Sequence, residues 1–128
     1  GWVWATCGDS SDPVQIKSIE VSPDPPQAGK NMTVTAKGTL KGRLEEGAYA
    51  DVVVKLGLIK LLSRRIDICE EARANNVSLQ CPVEDGEHEV THTVELPREI
   101  PPAKFNVHLN AFTAEDADLM CLDLSIDF

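Results

Sequence analysis

Apolar and polar residues alternate along most of this chain. In "NMTVTAKGTL", Met32, Val34, Ala36 and Leu40 alternate with Thr33, Thr35 and Lys37. A period of two places the apolar set on one face of an extended strand. "KFNVHLNAF" sets Phe105, Val107, Leu109 and Ala111 on one face. "LMCLDLSIDF" does the same with Leu122, Leu124, Ile126 and Phe128, opposite Asp123, Ser125 and Asp127. In "AYADVVVKLGLIKLLSRRIDIC", Ala50, Val52, Val54, Leu56 and Leu58 share a face. Three consecutive valines and Gly57 favour a strand for its first half. The second half, "IKLLSRR", reads as a bent strand or a loop with Lys60, Arg64 and Arg65 at its rim. Residues 14–21 form a further strand, and their apolar parity changes between Ile16 and Ile19, which indicates a bulge. "EEARANN" predicts a helix of about two turns. Six or seven alternating strands at short spacing predict an all-β fold, an immunoglobulin-like antiparallel sandwich of two sheets. No repeat, low-complexity stretch or linker divides the chain, so residues 1–128 read as one domain.

"HEVTH", from His88 to His92, matches the H-E-x-x-H pattern of zinc peptidases. That motif works on a helix, where both imidazoles reach one ion. Here Val90, Thr91, Thr93 and Val94 are β-branched, Asp85-Gly86 signals a turn, and Pro97 closes the segment. On a strand the two histidines share a face but stand about 13 Å apart, at ~3.3 Å per residue. His108 lies on another predicted strand and supplies no recognisable third ligand. The match is read as accidental, with His92 a partly buried or edge histidine. No nucleophile elbow, P-loop or dinucleotide fingerprint occurs, so no enzyme, metal or cofactor is expected.

Acidic residues number 21 and basic residues 12, for a net charge of −9, which argues against nucleic acid. An anionic membrane repels such a chain at neutral pH and less so in an acidic lumen. Hydrophobic residues make up 42% but aromatics only 5%, so the interior is mostly aliphatic. The even set Cys7, Cys69, Cys81 and Cys121, without C-x-x-C, suggests two disulfides and a secretory setting. Three pairings are possible. End-to-end plus local, Cys7–Cys121 and Cys69–Cys81, is favoured by position, and loop closure would then contribute roughly 4–5 and about 3 kcal/mol. Asn31 and Asn76 head glycosylation triplets. "GWVWATC" reads as the start of a mature chain whose leader was removed, and the expected location is a vacuole lumen or the extracellular space.

Four stretches carry a family resemblance: "VSPDPPQAGKNMTV", "EEGAYADVVVKLGLIKLL", "CPVEDGEHEV" and "IPPAKFNVHLNAFTAEDADLMCLDLSIDF". The chain resembles the ML lipid-recognition domains of the Niemann–Pick type C sterol-carrier family, and more narrowly the fungal phosphatidylglycerol/phosphatidylinositol transfer proteins. The resemblance implies the pairing Cys7–Cys121 and Cys69–Cys81, and a β-sandwich whose sheets separate at one end to admit a lipid. "SPDPPQAGK" lacks the cysteine of a third disulfide usual in animal members.

An apolar cavity between the sheets follows as an expectation. Sandwich sheets normally interdigitate at ~10 Å, and few large rings are available here to fill the space. Expected lining residues are Val34, Ala36, Val52, Val54, Leu56, Leu58 and Ile66, then Val94, Leu96, Phe105, Val107, Leu109, Leu122 and Leu124. Ile59, Leu62, Ile100 and Pro101 are expected at the mouth, with Lys60 and Arg64 as phosphate-headgroup candidates. Trp2 and Trp4 either anchor at a membrane interface or pack on the sandwich edge, the latter being favoured. The expected activity is phospholipid, and by extension sterol, binding and transfer by a monomer in transient contact with a membrane. The competing readings are an immunoglobulin-like partner-binding module with a filled core and the zinc peptidase. Neither favoured disulfide links two mid-sandwich strands around a central Trp, which weighs against the former.

Overall fold

Alternation along the chain becomes strand pairing in the computed structural model, which describes residues 1–128. In order these are β1 (Trp2–Thr6), β2 (Val14–Ser22), β3 (Asn31–Leu40), β4 (Tyr49–Leu56), β5 (Ile59–Asp67), α1 (Ile68–Ala74), β6 (Gly86–Glu95), β7 (Lys104–Phe112) and β8 (Asp118–Asp127). A five-stranded sheet runs β1-β8-β7-β4-β5 and a three-stranded sheet runs β2-β3-β6. All pairs are antiparallel.

The bulge in β2 falls between Ile16 and Ser18, where the parity change placed it. The eighth strand is β1, too short in "WVWAT" to show a period, and it adds to the sheet by pairing with β8. "IKLLSRR" belongs to β5, which pairs with β4 alone. The helix starts two residues ahead of "EEARANN", because Asp67 caps it: its carboxylate accepts from the Glu70 N–H at 3.0 Å.

Small side chains close one end of the sandwich. Ala48, Ala50, Ala111 and Leu119 form a buried cluster, with Leu40, Val83 and Leu122 also buried. Alanines let the two layers approach, and a bridge between Leu44 and Val83 seals that end. Cys69–Cys81 ties α1 to the segment before β6, and Cys7–Cys121 ties the end of β1 to β8. This is the expected pairing. The small sheet's outer face is polar: Thr33 bonds Thr93 at 2.9 Å, and Lys37 pairs with Glu89 at 3.5 Å.

Candidate functional site

Antiparallel register fixes which side chains stand together. On the inner face of the large sheet, one row runs Leu62, Val54, Val107, Leu124 and Trp4 across all five strands. The next runs Ile59, Leu56, Phe105, Ile126 and Trp2. Nearer the closed end come Arg64, Val52, Leu109 and Leu122, then Ile66, Ala50, Ala111 and Met120. The small sheet answers with Val21, Val34 and His92, then Ile19, Ala36 and Val90, with Met32 beside Val94.

Burial changes along these rows. At the closed end Ala50, Ala111 and Leu122 are buried. Further out, Val54, Leu56, Val107, Leu124, Val34 and Val94 are only half-buried, although they face the other sheet. Cross-sheet approach is made by β2 against β8. On the opposite edge β5 is exposed from Ile59 to Arg65, so the layers are open along that side. An apolar pocket of about 160 Å³ lies against the small sheet and the loops beside it, lined by Val14, Ile16, Ala36, Leu40, Leu44, Val83 and Val90, with His88 in its wall. That is short of the roughly 300 Å³ at which small-molecule sites begin. This pocket and the half-covered apolar rows are what the structure shows where an apolar cavity between the sheets was expected.

Most expected lining positions share these inner faces: Val34, Ala36, Val52, Val54, Leu56, Ile66, Val94, Phe105, Val107, Leu109, Leu122 and Leu124. Leu96 follows β6 and is half-buried; its N–H donates to the Lys30 carbonyl at 3.0 Å. Ile59 and Leu62 lie on the inner side of β5, 64% and 45% exposed. Ile100 is half-buried and Pro101 exposed in the link before β7. Two expectations are corrected. Leu58 stands fully exposed in the β4–β5 turn, because Gly57, at φ 59°, ends the strand parity that had carried Leu58 inward. Lys60 opposes Lys55 on the outer face, because a bulge in the β4–β5 pairing shifts the register there. Arg64 remains on the inner side, 3.3 Å from Glu71.

Sequence reasoning left out Met32 and the inward direction of Trp2 and Trp4. Register supplies it: Trp2 pairs with Ile126 and Trp4 with Leu124. Trp2 also borders a surface hollow with Ile19 and Val21 of β2, so it packs along the sandwich edge.

"HEVTH" lies within β6, as expected, with His88 Nε2 2.5 Å from the Glu84 carbonyl oxygen. A second grouping of ligand-type atoms, Cys7, His108 and Cys121, offers no thiolate, since both sulfurs are in the disulfide. On the outer face Arg65 donates to both Asp51 oxygens, at 2.8 and 3.1 Å, and lies 4.3 Å over the Tyr49 ring. These bonds hold the Asp51 carboxyl below its ordinary range and raise Arg65. The Tyr49 hydroxyl donates to Asp116 at 2.5 Å, which raises the phenol. The network pins β5 to β4 near the closed end.

Comparison with known proteins agrees with this architecture. The family model of the ML domain matches residues 1–128. The chain is 57% identical over 128 residues to a phosphatidylglycerol/phosphatidylinositol transfer protein of Mycosarcoma maydis, covering all of this chain and 66% of that one. It is 56% identical over 127 residues to the protein of that name from Cryptococcus neoformans, covering 99% and 71%. The chain thus spans about two thirds of the length of these relatives. A Niemann-Pick type C2 protein from Japanese carpenter ant superposes with a TM-score of 0.69 at 16% identity, covering 98% of each chain. Chicken MD-1 complexed with lipid IVa gives 0.57 at 15%, covering 99% and 98%. At such identities these two speak for the fold alone. With a matching family model over its whole length and relatives of more than half identity, this chain belongs to the ML domain family.

Proposed function

We propose that the chain binds a phospholipid between its two sheets and transfers it between membranes, as the names of its relatives suggest. It is a carrier and not an enzyme. One observation carries the reading: apolar rows that face the opposite sheet yet stay half-buried, open along β5. A filled sandwich core would bury them, which also disfavours the partner-binding module. The two tails of a phospholipid hide about thirty methylenes, each contributing roughly 0.8 kcal/mol relative to water. The bilayer already supplies that, so the slot has only to match it. Because the formed pocket is small, loading requires β5 to move away from β6. Arg64, at the rim of that opening, is placed to meet a phosphate headgroup.

Membrane contact is assigned to the β4–β5 turn. Leu58 and Ile59 are 101% and 64% exposed, and residues 52–66 hold Lys55, Lys60, Arg64 and Arg65 with no acid. An apolar tip flanked by cations suits an anionic bilayer surface. A lumenal or extracellular location fits the two disulfides, and Asn31 and Asn76 are exposed to a glycosylation machinery. A sterol is the expected competitor for the slot.

Native mass spectrometry after incubation with mixed phospholipid vesicles tests this. One phospholipid per chain is expected, with exchange faster near pH 5 than near pH 7 as carboxylates and histidines gain protons. Protein free of lipid across that range would overturn the proposal.

A further inference from the structure

The outer face of the large sheet has its own hollow. A groove of about 700 Å³ runs across the strands, bordered by Lys60, Lys55, Asn106, Ser125 and Val3. Register makes these five one continuous row: Lys60 opposes Lys55, Lys55 opposes Asn106, Asn106 opposes Ser125, and Ser125 opposes Val3. It lies behind the slot, with the sheet between them.

Charge along this row is uncompensated. Elsewhere on the same face opposite charges meet across strands, as Arg65 with Asp51 at 2.8 Å, and His108 Nδ1 lies 2.5 Å from Asp123 Oδ1. Lys55 and Lys60 stand directly opposite each other, and neither enters an ion pair. Like charges placed so are destabilising in a sheet, in a chain whose acids outnumber its bases. The acid on the groove wall, Asp123, is hydrogen-bonded to His108. Beside Lys55, the Ser125 hydroxyl donates to Asn106 Oδ1 at 2.6 Å, which fixes that amide and leaves its NH₂ as a donor. Two lysines and an amide NH₂ thus line one end of a hollow as register neighbours, and Val3, 64% exposed, gives the other end an apolar surface.

We propose that this groove is a second binding site, for a phosphate group, with Lys55, Lys60 and Asn106 as its donors. Charge-assisted bonds from lysine and amide suit a phosphate mono- or diester. Such a group belongs either to a lipid headgroup or to a soluble phosphate ester. The site is independent of the slot and would stand if the slot carried no lipid.

The test is a backbone and side-chain NMR titration at low salt with two probes: inositol 1-phosphate, and small vesicles of phosphatidylglycerol in phosphatidylcholine. Lys55→Gln/Lys60→Gln is compared with Lys30→Gln/Lys41→Gln, which removes the same two positive charges at exposed lysines outside any ion pair. Saturable shifts at residues 55, 60 and 106 with inositol 1-phosphate are expected. They should weaken at least about tenfold in the first variant and less than about twofold in the second. Shifts at these positions with vesicles only, lost in the first variant alone, assign the groove to lipid phosphate. Equal weakening in both variants, or no shift with either probe, overturns the proposal.

Discussion

Ala50 and Val54 lie on the same strand and face the same way, four residues apart. Ala50 is 2% exposed within the packed cluster; Val54 is half-buried beside Val107. Adding carbon atoms where atoms already touch (three in Ala50→Leu) forces neighbours off their rotamers, whereas adding one at a half-covered position (Val54→Leu) does not. Ala50→Leu should therefore cost about 1–3 kcal/mol, and Val54→Leu less than about 0.5 kcal/mol. Urea unfolding of both variants reads the difference, and equal losses would mean that the gap is packed throughout. Asp51 gives a pH test at the same scale. Arg65 depresses its folded-state pKa, so its stabilisation is present above the unfolded value, ~3.9, and is lost as pH falls through the folded value. The difference in urea midpoint between the parent and Asp51→Asn should shrink as pH falls below about 4. A difference that stays constant with pH would show that the Asp51–Arg65 contact contributes nothing.

Among the elements, the β4–β5 hairpin joins the open edge to the exposed tip. Leu58 and Ile59 stabilise little in the folded chain, being 101% and 64% exposed. Leu58→Ser/Ile59→Ser should change stability by less than about 0.5 kcal/mol and slow transfer from anionic vesicles by about tenfold. Unchanged transfer would place membrane contact elsewhere. This hairpin is also where sequence and structure part. Strands β3, β7 and β8 were legible because one face looks inward and the other is more polar, so apolar and polar residues alternate along Met32–Ala36, Phe105–Ala111 and Leu122–Asp127. In β5 seven positions running from Ile59 are exposed on both sides, and no burial imposes a pattern on "IKLLSRR". Leu58 was misassigned because parity cannot be counted through a turn, and Lys60 because the bulge beyond it is invisible in the residues. Which residues face inward was readable from periodicity. The open edge was not, since openness depends on which strands lack neighbours.

Over the whole molecule, a closed end and an open end divide the work. The closed end carries the alanine cluster, the Leu44–Val83 bridge and the Cys69–Cys81 bond, and these hold the sheets in register. Cys7–Cys121, spanning 114 residues, fastens β1 to β8 on the edge opposite β5. Removing it with Cys7→Ser/Cys121→Ser should lower stability by roughly 4–5 kcal/mol in the loop-entropy picture. Thermal unfolding with and without lipid should show that the loss lies in the protein and not in the cargo. β2 packs against β8 near the edge that this bond fastens, and under the proposed carrier function separation of the sheets along the edge strand β5 is the motion expected to admit a ligand. The most direct test uses phosphatidylglycerol bearing a photoactivatable diazirine in one acyl chain, loaded from vesicles, irradiated and mapped by peptide mass spectrometry. Adducts are predicted on inner-row residues such as Val54, Val107, Leu124, Val34 and Val94. Adducts confined to the outer faces, at Val3, Val53 or Thr35, would contradict a lipid held between the sheets.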